Sequence, residues 1–324
     1  MFLEACPSPC RARNILSFMM SSGMLQRLSN KTGYLLSSIG KRLSGGHRNC
    51  PSCGAEPAEQ LDRKWLVTTF CRCSSCRLLY RIPTSDEREN EAFYQEDYTE
   101  GFTTDLPTVA ELQELKDTRF AGSEKNYAHY MAVLRALGVS PGARLFDYGC
   151  SWGYGSHQLG AAGYQVDAFE ISRPRAAYAR NQLGVSMPDV ETLPPASYDV
   201  FFSAHVIEHV PSPADMMELG MRLLKPGGLF VCFCPNGSLT FRQCAPRDWH
   251  LMWGQSHPQL VDELFLQQAF PQQPLLMHSA PLLHWDNPEH LQAVNDWHRQ
   301  PAPQVGCLDH VEMLFVVTKN FSNN

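Results

Sequence analysis

Four cysteines in the first third of the chain have the spacing of a metal site. Two C-x-x-C pairs, Cys50 with Cys53 and Cys73 with Cys76, are separated by nineteen residues, which is enough for a hairpin that brings the pairs together. Four thiolates in a tetrahedron suit zinc, with iron as the competing metal, and they leave no open position for chemistry. We therefore expect a structural zinc ion on these four residues, with the odd cysteine, Cys71, facing away from it.

A second set of residues, between positions 144 and 172, has the composition of a ligand-binding corner. An apolar run ends in Asp147, a turn follows through Gly149 and Gly153, and a second apolar run ends at Glu170. Glycines let a backbone curl tightly and approach a ligand at the carboxyl edge of a parallel sheet. An acid 21 residues after Gly149 can accept hydrogen bonds from a ribose diol. The stretch predicts a strand, turn, helix and strand that bind a nucleoside.

The loop of this corner lacks the glycines of other nucleotide-binding loops. Ser151 and Tyr154 stand where a dinucleotide fingerprint needs its second and third glycines, and no phosphate-binding Gly-Lys-Ser/Thr follows. The loop instead resembles motif I, D-x-G-x-G-x-G, of the class I S-adenosylmethionine-dependent methyltransferases, with Asp147, Gly149, Ser151 and Gly153 in its positions. The resemblance implies an α/β fold, in which a Rossmann-like, seven-stranded, mostly parallel sheet has helices on both faces, and S-adenosylmethionine as the cofactor.

The resemblance extends over the remainder of the chain. Residues 189–194 resemble the family's segment after the third strand. The chain also resembles the family in strand four, the loop after it, the turn before strand five, strand five itself and an antiparallel pair of edge strands. These segments are 198–203, 204–211, 223–228, 229–234, and 275–279 with 312–317. The resemblance implies that Glu170 binds the ribose and that Asp189, or alternatively Glu191, binds the adenine amine. The implied cofactor-binding residues are Asp147, Tyr148, Gly149, Cys150, Ser151, Gly153, Glu170, Ile171, Asp189, Val190 and His205.

The segment His205 to His209 carries a separate pattern, H-x-x-E-H. On a helix His205, Glu208 and His209 share one face. The pattern is that of inverted zincin metalloproteases, and some metal-assisted O-methyltransferases bind a divalent cation through E-x-x-E-H at this position, where this chain has His205 for the first Glu. We interpret Glu208 and His209 as residues that hydrogen-bond locally and hold the loop, and leave a second metal open.

Methyl transfer asks little of side chains because a sulfonium methyl group is already activated. The protein must mainly align the acceptor atom with the methyl group and exclude water. A histidine could remove the acceptor's proton, and His205 is the first candidate and His257 the second. The predicted function is methyl transfer to a small-molecule acceptor, such as a sugar or another metabolite. The alternatives are an RNA methyltransferase and a non-catalytic cofactor-binding protein of the same fold.

Charge is distributed unevenly along the 324 residues. The net charge is −6, yet residues 1–85 hold twelve Lys or Arg against four Asp or Glu. A basic front half can attract nucleic acid, lipid headgroups or a phosphorylated substrate. The acidic remainder has no Arg/Lys stripe interleaved with aromatic residues, so nucleic acid is not expected as a partner. Residues 11–46 could form a basic amphipathic helix that contacts a membrane surface peripherally.

Composition and the positions of Gly and Pro predict the domain organisation. No apolar run approaches the ~18 residues of a membrane-spanning helix, and C-x-x-C pairs fit a reducing compartment, so a cytoplasmic protein is expected. We predict a helix from Ser123 to Leu137, before the first strand of the large sheet. The sequence does not indicate an oligomeric state. The predicted divisions are a basic, partly disordered extension at 1–46, a zinc ribbon at 47–85, an aromatic and acidic connector at 86–122 and a methyltransferase domain at 123–324.

Overall fold

The computed structural model describes residues 24–45, 47–85, 89 and 105–320. The first 23 residues of the predicted basic extension and, apart from Glu89, residues 86–104 of the predicted connector lie outside the described part of the chain. No helix among the described residues is long and apolar enough to cross a membrane.

The described strands and helices are as follows, in chain order. The strands are β1 (Pro57–Lys64), β2 (Thr68–Cys73), β3 (Leu79–Ile82), β4 (Arg144–Tyr148), β5 (Gln165–Phe169), β6 (Tyr198–Ala204), β7 (Leu224–Pro235), β8 (Gln259–Leu260), β9 (Leu275–Ala280), β10 (Gln304–Val305) and β11 (Glu312–Thr318). The α-helices are α1 (Met24–Leu43), α2 (Val109–Asp117), α3 (Ala128–Ala136), α4 (Tyr154–Ala161), α5 (Arg173–Leu183), α6 (Pro213–Leu223), α7 (Leu239–Cys244), α8 (Pro246–Met252), α9 (Glu263–Ala269) and α10 (Pro288–Arg299).

The larger sheet has seven strands in the order β10-β9-β11-β7-β6-β4-β5. Only β11 runs antiparallel to its neighbours, and the remaining pairs are parallel. This confirms the predicted mostly parallel α/β sheet. The strand expected after β5 is reduced to a single parallel bridge between Asp167 and Ser186, and β10 supplies the seventh strand at the opposite edge.

Helices cover both faces of this sheet because its central strands are apolar on both sides. Phe201 and Phe230 belong to one core, together with side chains of α6 and α9. Their neighbours Phe202 and Val231 belong to a second core, with side chains of α3, α4 and α10. Continuous apolar runs of this kind are typical of parallel strands buried on both faces. The site residues at the strand ends therefore stand on a rigid scaffold.

The smaller sheet, in the order β1-β2-β3-β8, takes its fourth strand from a distant part of the chain. In the pairing of β3 with β8, Leu79 lies opposite Leu260 and Tyr80 opposite Gln259. A buried ion pair joins the same parts of the chain, with Arg72 Nη1 2.7 Å from Asp262 Oδ2. The cysteine-bearing segment and the C-terminal segment thus form one structural unit.

The helix predicted from Ser123 to Leu137 is shorter than expected, since α3 begins only at Ala128. The side chain of Gln158 fixes the preceding backbone in another conformation. Its Oε1 accepts a hydrogen bond from Tyr127 N at 3.0 Å, and its Nε2 donates to Lys125 O at 2.8 Å. These long-range bonds satisfy backbone groups that an earlier helix start would have used.

Candidate functional site

The loop between β4 and α4 can adopt its path only with glycine at two positions. Gly149 has φ 85°, and a Cβ atom there would lie 2.3 Å from Val206 Cγ2. Gly153, the N-cap residue directly before α4, has φ 86°, and a Cβ atom there would lie 2.8 Å from Ala179 Cβ. The left-handed backbone and the close approach both exclude larger residues. Gly149 therefore brings the loop against the segment that follows β6, and Gly153 brings the start of α4 against α5.

Glu170, directly after β5, forms hydrogen bonds that hold this loop in place. Its Oε2 accepts a hydrogen bond from Ser151 N at 2.9 Å, and its Oε1 accepts one from Ser172 N at 2.8 Å. Burial raises the pKa of Glu170, and these backbone amides oppose that rise. A carboxylate oxygen can accept more than one hydrogen bond, so Glu170 keeps acceptor capacity for a ligand beside the loop.

Asp147, the acid at the end of the first apolar run, is buried beneath the loop. Ser156 Oγ donates a hydrogen bond to Asp147 Oδ2 at 2.6 Å. Burial raises the pKa of Asp147 to about 7, against the lowering effect of Ser156. Tyr148 stacks on Phe169 with ring centroids 5.0 Å apart. Asp147 therefore titrates near neutral pH in the ligand-free protein.

The remaining predicted cofactor residues lie at the rim of the same edge. Ile171 follows Glu170 and is 38% exposed. Asp189 is exposed and begins a short 3-10 turn at Val190–Thr192, where its Oδ1 accepts from Glu191 N at 3.1 Å. Cys150 is buried within the loop. The predicted residues of the glycine loop, Glu170 and His205 thus follow the carboxyl ends of β4, β5 and β6, and the contacts of all the predicted residues with the cofactor stay predictions.

His205 is held between two buried carboxylates. Its Nε2 lies 2.8 Å from Glu312 Oε1 and its Nδ1 lies 3.5 Å from Glu208 Oε1. Burial alone would lower the pKa of His205, but the contacts with Glu208 and Glu312 outweigh burial and hold it well above its usual range. These contacts therefore favour the protonated form of His205.

Glu312 was not found by reasoning from the sequence. Besides His205, its Oε1 accepts from Tyr130 Oη at 2.9 Å, and its Oε2 accepts from Trp285 Nε1 at 2.8 Å. The interactions with His205 outweigh burial and lower the pKa of Glu312. The signal available in the sequence was an acid at the start of the apolar strand β11, where a buried carboxylate needs partners.

His257, the second predicted catalytic histidine, lies beside His209 and Glu208. The ring centroids of His209 and His257 are 4.8 Å apart. The pKa of His257 is lowered to about 4, first by burial and then by His209. Burial also lowers the pKa of His209. For Glu208, burial acts to raise the pKa, but the interactions with His209 and His205 outweigh burial and lower the pKa to about 2. The structure therefore brings both predicted catalytic histidines to Glu208.

The four cysteines predicted to bind zinc converge on one point. The Sγ atoms of Cys50 and Cys76 are 3.5 Å apart, those of Cys53 and Cys73 are 3.4 Å apart, and all four lie within 4.8 Å of one another. Sulfur atoms at the corners of a zinc tetrahedron are about 3.8 Å apart, as Zn–S bonds of ~2.3 Å require. Cys71 contacts Thr69 Oγ1 instead. The donor set and its size fit a tetrahedral zinc ion.

Comparison with known proteins gives a family for part of the chain. Residues 146–232, just over a quarter of the chain, match the family model described as "Methyltransferase domain". This segment contains the glycine loop, Glu170 and Glu208. Together with the sheet order, the match supports a class I S-adenosylmethionine-dependent methyltransferase.

Curated relatives resemble a limited part of the chain. The Ubiquinone biosynthesis O-methyltransferases of Bordetella bronchiseptica and Xanthomonas campestris pv. campestris are 31% identical over 106 residues and 34% identical over 109 residues. A Mycolicibacterium smegmatis protein named "Probable S-adenosylmethionine-dependent methyltransferase" is 30% identical over 127 residues. These matches cover 30%, 31% and 37% of this chain and 44%, 44% and 49% of the relatives. The chain thus spans less than half the length of the relatives it matches.

Solved structures of methyltransferases are also similar to this chain. One is the geranyl diphosphate C-methyltransferase of Streptomyces coelicolor A3(2), with 13% identity and a TM-score of 0.43. The match covers 72% of this chain and 97% of that chain.

Proposed function

We propose that this protein binds S-adenosylmethionine in the corner formed by Gly149, Ser151 and Glu170 and transfers its methyl group to a small-molecule acceptor. The observation that carries the proposal is the pairing of Glu170 with the backbone of the glycine loop at the carboxyl edge of the sheet. Ligands of open α/β sheets bind at this edge. The relatives named as ubiquinone biosynthesis O-methyltransferases support a small molecule as the acceptor.

In this proposal the residues of the corner contact different parts of the cofactor. Glu170 accepts hydrogen bonds from the ribose hydroxyls, and Asp189 accepts one from the adenine amine. The left-handed backbone at Gly149 lets the loop pass close to Val206 and so fixes the path of the loop beside the cofactor. The cofactor supplies an activated methyl group, so the chain's remaining work is to align the acceptor and exclude water.

His205 then provides a fixed positive charge that positions the carboxylates of Glu208 and Glu312, and it does not take up the acceptor's proton. A histidine that is already protonated cannot take up a proton, which does not favour the base role predicted for it. His257 keeps a neutral ring at pH 7, as both proton acceptance and metal binding require.

The proposal includes a structural zinc ion on Cys50, Cys53, Cys73 and Cys76 and a cytoplasmic location. The four Sγ atoms are close enough to share one ion, and reduced thiolates of this kind persist in a reducing compartment. The zinc would supply no chemistry to the reaction. It would hold the β2–β3 hairpin, on which strand β8 is paired.

Replacing Glu170 should separate its two roles. Glu170→Ala loses the ribose acceptor and both loop hydrogen bonds, whereas Glu170→Gln keeps one carbonyl acceptor. Hydrogen bonds to charged groups contribute about 1.5–3 kcal/mol, so we expect cofactor affinity to fall roughly ten- to a hundredfold in the alanine variant. The glutamine variant should fall less. Calorimetric titration with S-adenosylmethionine tests this, and unchanged affinity in the alanine variant would contradict the assignment.

The cofactor's positive sulfonium should make its binding depend on pH through Asp147. In the free protein burial raises the pKa of Asp147 to about 7, so below that pH the carboxyl holds a proton. A nearby cation favours the ionised form, so binding must release this proton at low pH. We expect the affinity for S-adenosylmethionine to rise several-fold, at most about tenfold per pH unit, from pH 6 to 7.

Two controls isolate this effect. S-adenosylhomocysteine lacks the sulfonium charge, and its affinity should rise less over the same range. Asp147→Asn should flatten the difference between the two ligands. An equal pH dependence for both ligands in the wild-type protein would show that Asp147 does not sense the cofactor's charge.

A further inference from the structure

Glu208 is a buried carboxylate whose oxygens lack hydrogen-bond partners. The residue is 1% exposed, and neither Oε1 nor Oε2 accepts a hydrogen bond from the described part of the chain. His205 Nδ1 lies 3.5 Å and His209 Nε2 lies 3.8 Å from Oε1, both too far for a hydrogen bond of normal strength. A buried, poorly satisfied carboxylate is costly. Both Glu208 oxygens therefore have lone pairs available to coordinate a cation.

His209 and His257 are oriented as metal-binding histidines are. His209 Nδ1 lies 2.6 Å from Ser256 O, and His257 Nδ1 lies 2.7 Å from Met252 O. Since a carbonyl oxygen only accepts, each Nδ1 is the donor, and in the neutral ring the lone pair is then on Nε2. A backbone carbonyl on the other ring nitrogen is the common outer partner of a metal-ligating histidine.

We propose that Glu208, His209 and His257 bind one divalent transition-metal ion, separate from the ion on the four cysteines. One ligand atom from each residue lies within 4.8 Å of the others. Two imidazoles and one carboxylate suit Zn²⁺, Fe²⁺ or Mn²⁺, and three protein ligands leave coordination positions open for water or another oxygen donor. His205 is not a ligand, because its Nε2 is taken by Glu312.

The ligands come from two parts of the chain that the small sheet holds in register. Pro258 O, next to His257, accepts a hydrogen bond from Arg81 N of β3 at 2.7 Å. Gln259 Nε2 donates to Ile207 O at 3.0 Å and to Val210 O at 2.6 Å, on either side of Glu208 and His209. The third ligand is thus fixed before any ion arrives, as a preformed site requires.

Metal content of the full chain tests this site independently of catalysis. Protein with its cysteine site loaded is titrated with Mn²⁺, Fe²⁺ under anaerobic conditions, or Zn²⁺, followed by calorimetry and elemental analysis. We expect about one further equivalent to bind in the wild-type protein. Its affinity should be weakened at least about tenfold by His257→Ala and by Glu208→Gln.

The matched control is His284→Ala, which removes an exposed histidine and should leave both ions bound. Near-ultraviolet circular dichroism establishes that the variants are folded, and the more conservative His257→Gln replaces His257→Ala if that variant is not. The proposal is overturned if the wild-type protein takes up no ion beyond the cysteine-bound one. It is also overturned if a folded His257 variant binds the further ion as tightly as the wild type.

A different part of the small sheet displays apolar side chains at the surface. The turn between β1 and β2 presents Trp65 and Leu66, which are 76% and 75% exposed. Their φ angles are 54° and 58°, in the left-handed region that bulky residues rarely adopt. The turn has three residues, Trp65 to Val67, and turn positions with a positive φ favour Gly or Asn. An exposed Trp-Leu pair in such a turn is therefore costly for folding and suited to contact with a partner.

Cationic side chains surround this tip. Arg63 Nη2 donates to Leu66 O at 2.8 Å, and Arg42 Nη1, from the end of α1, donates to Val67 O at 2.8 Å. Helix α1 contains no acidic residue, and its described part exposes Leu36, Ile39 and Leu43. The hairpin tip and the end of α1 therefore form one surface that is both apolar and basic.

We infer that the hairpin tip and the end of α1 dock on an anionic lipid bilayer. Tryptophan prefers the membrane interface. A basic amphipathic helix binds anionic headgroups through its charges and the acyl boundary through its apolar side chains. The charge of this surface is complementary to such a membrane and not to a neutral one.

Co-sedimentation of the full chain with vesicles tests this surface. We expect binding to vesicles of phosphatidylcholine with about a third of phosphatidylglycerol, weakened by salt, and none to phosphatidylcholine alone. The double variant W65S/L66S should bind at least about tenfold less, whereas Val109→Ser, which changes an exposed apolar residue of α2, should not. Absence of vesicle binding, an unaffected double variant, or a preference for RNA over these vesicles would overturn the inference.

Discussion

Replacing Gly149 by valine is expected to abolish the binding of S-adenosylmethionine. A Cβ atom at this position would lie 2.3 Å from Val206 Cγ2 and 2.9 Å from its Cγ1, far inside van der Waals contact. The backbone φ of 85° is also unfavourable for a β-branched residue. The loop must therefore move away from the end of β6. We expect at least about a hundredfold loss of affinity, since small displacements of a positioning loop have large effects.

A second glycine provides the matched control. Gly160 lies near the end of α4, the helix that follows the same loop, and a Cβ atom there would meet nothing within 4 Å. Gly160→Ala should retain cofactor affinity and stabilise the helix by up to about 1 kcal/mol. Titration calorimetry and thermal unfolding of both variants make the comparison. Wild-type affinity in a folded Gly149→Val protein would show that the cofactor does not use this loop.

Replacing Cys73 by serine should have the largest effect on the small sheet. Cys73 is fully buried, and its Sγ lies 3.4 Å from Cys53 Sγ in the proposed zinc site. In small zinc domains metal binding contributes about 10–16 kcal/mol to folding. We expect the variant to lose the cysteine-bound ion, and we expect the β2–β3 hairpin and its partner strand β8 to become accessible to protease. Elemental analysis and limited proteolysis measure the two effects.

Two other cysteines distinguish metal loss from thiol loss. Cys71 is buried two residues away but is not among the converging four, and Cys244 is exposed. Cys71→Ser and Cys244→Ser should each retain the ion. If Cys73→Ser retains a full equivalent of metal, or if Cys71→Ser loses it, the assignment of the ligands is wrong.

The sequence predicts the parts of this protein whose residues are close together in the chain. The corner was predicted from the spacing of Asp147, Gly149 and Glu170, and the strands and helix appear there as β4, α4 and β5. The C-x-x-C pairs were likewise sufficient to predict that four thiols converge. In both cases the geometry follows from local backbone rules, which hold before any tertiary packing is known.

The missed features depend on contacts between distant residues. Glu312 contacts His205 from 107 positions away in the chain, and this contact raises the pKa of His205. His257 reaches Glu208 because β8 pairs with β3. Strand β8 has only two residues, so no periodic pattern in the sequence could indicate it. The start of α3 depends similarly on Gln158. Such pairings depend on the arrangement of whole elements, and local propensity does not encode them.

The most direct test of the central claim is a calorimetric titration of the purified wild-type protein with S-adenosylmethionine, S-adenosylhomocysteine and NAD. A corner with Ser151 and Tyr154 in place of two fingerprint glycines should not accommodate a pyrophosphate. We predict that both adenosyl ligands bind and that NAD does not. Binding of NAD without binding of S-adenosylmethionine would contradict the assignment of this site.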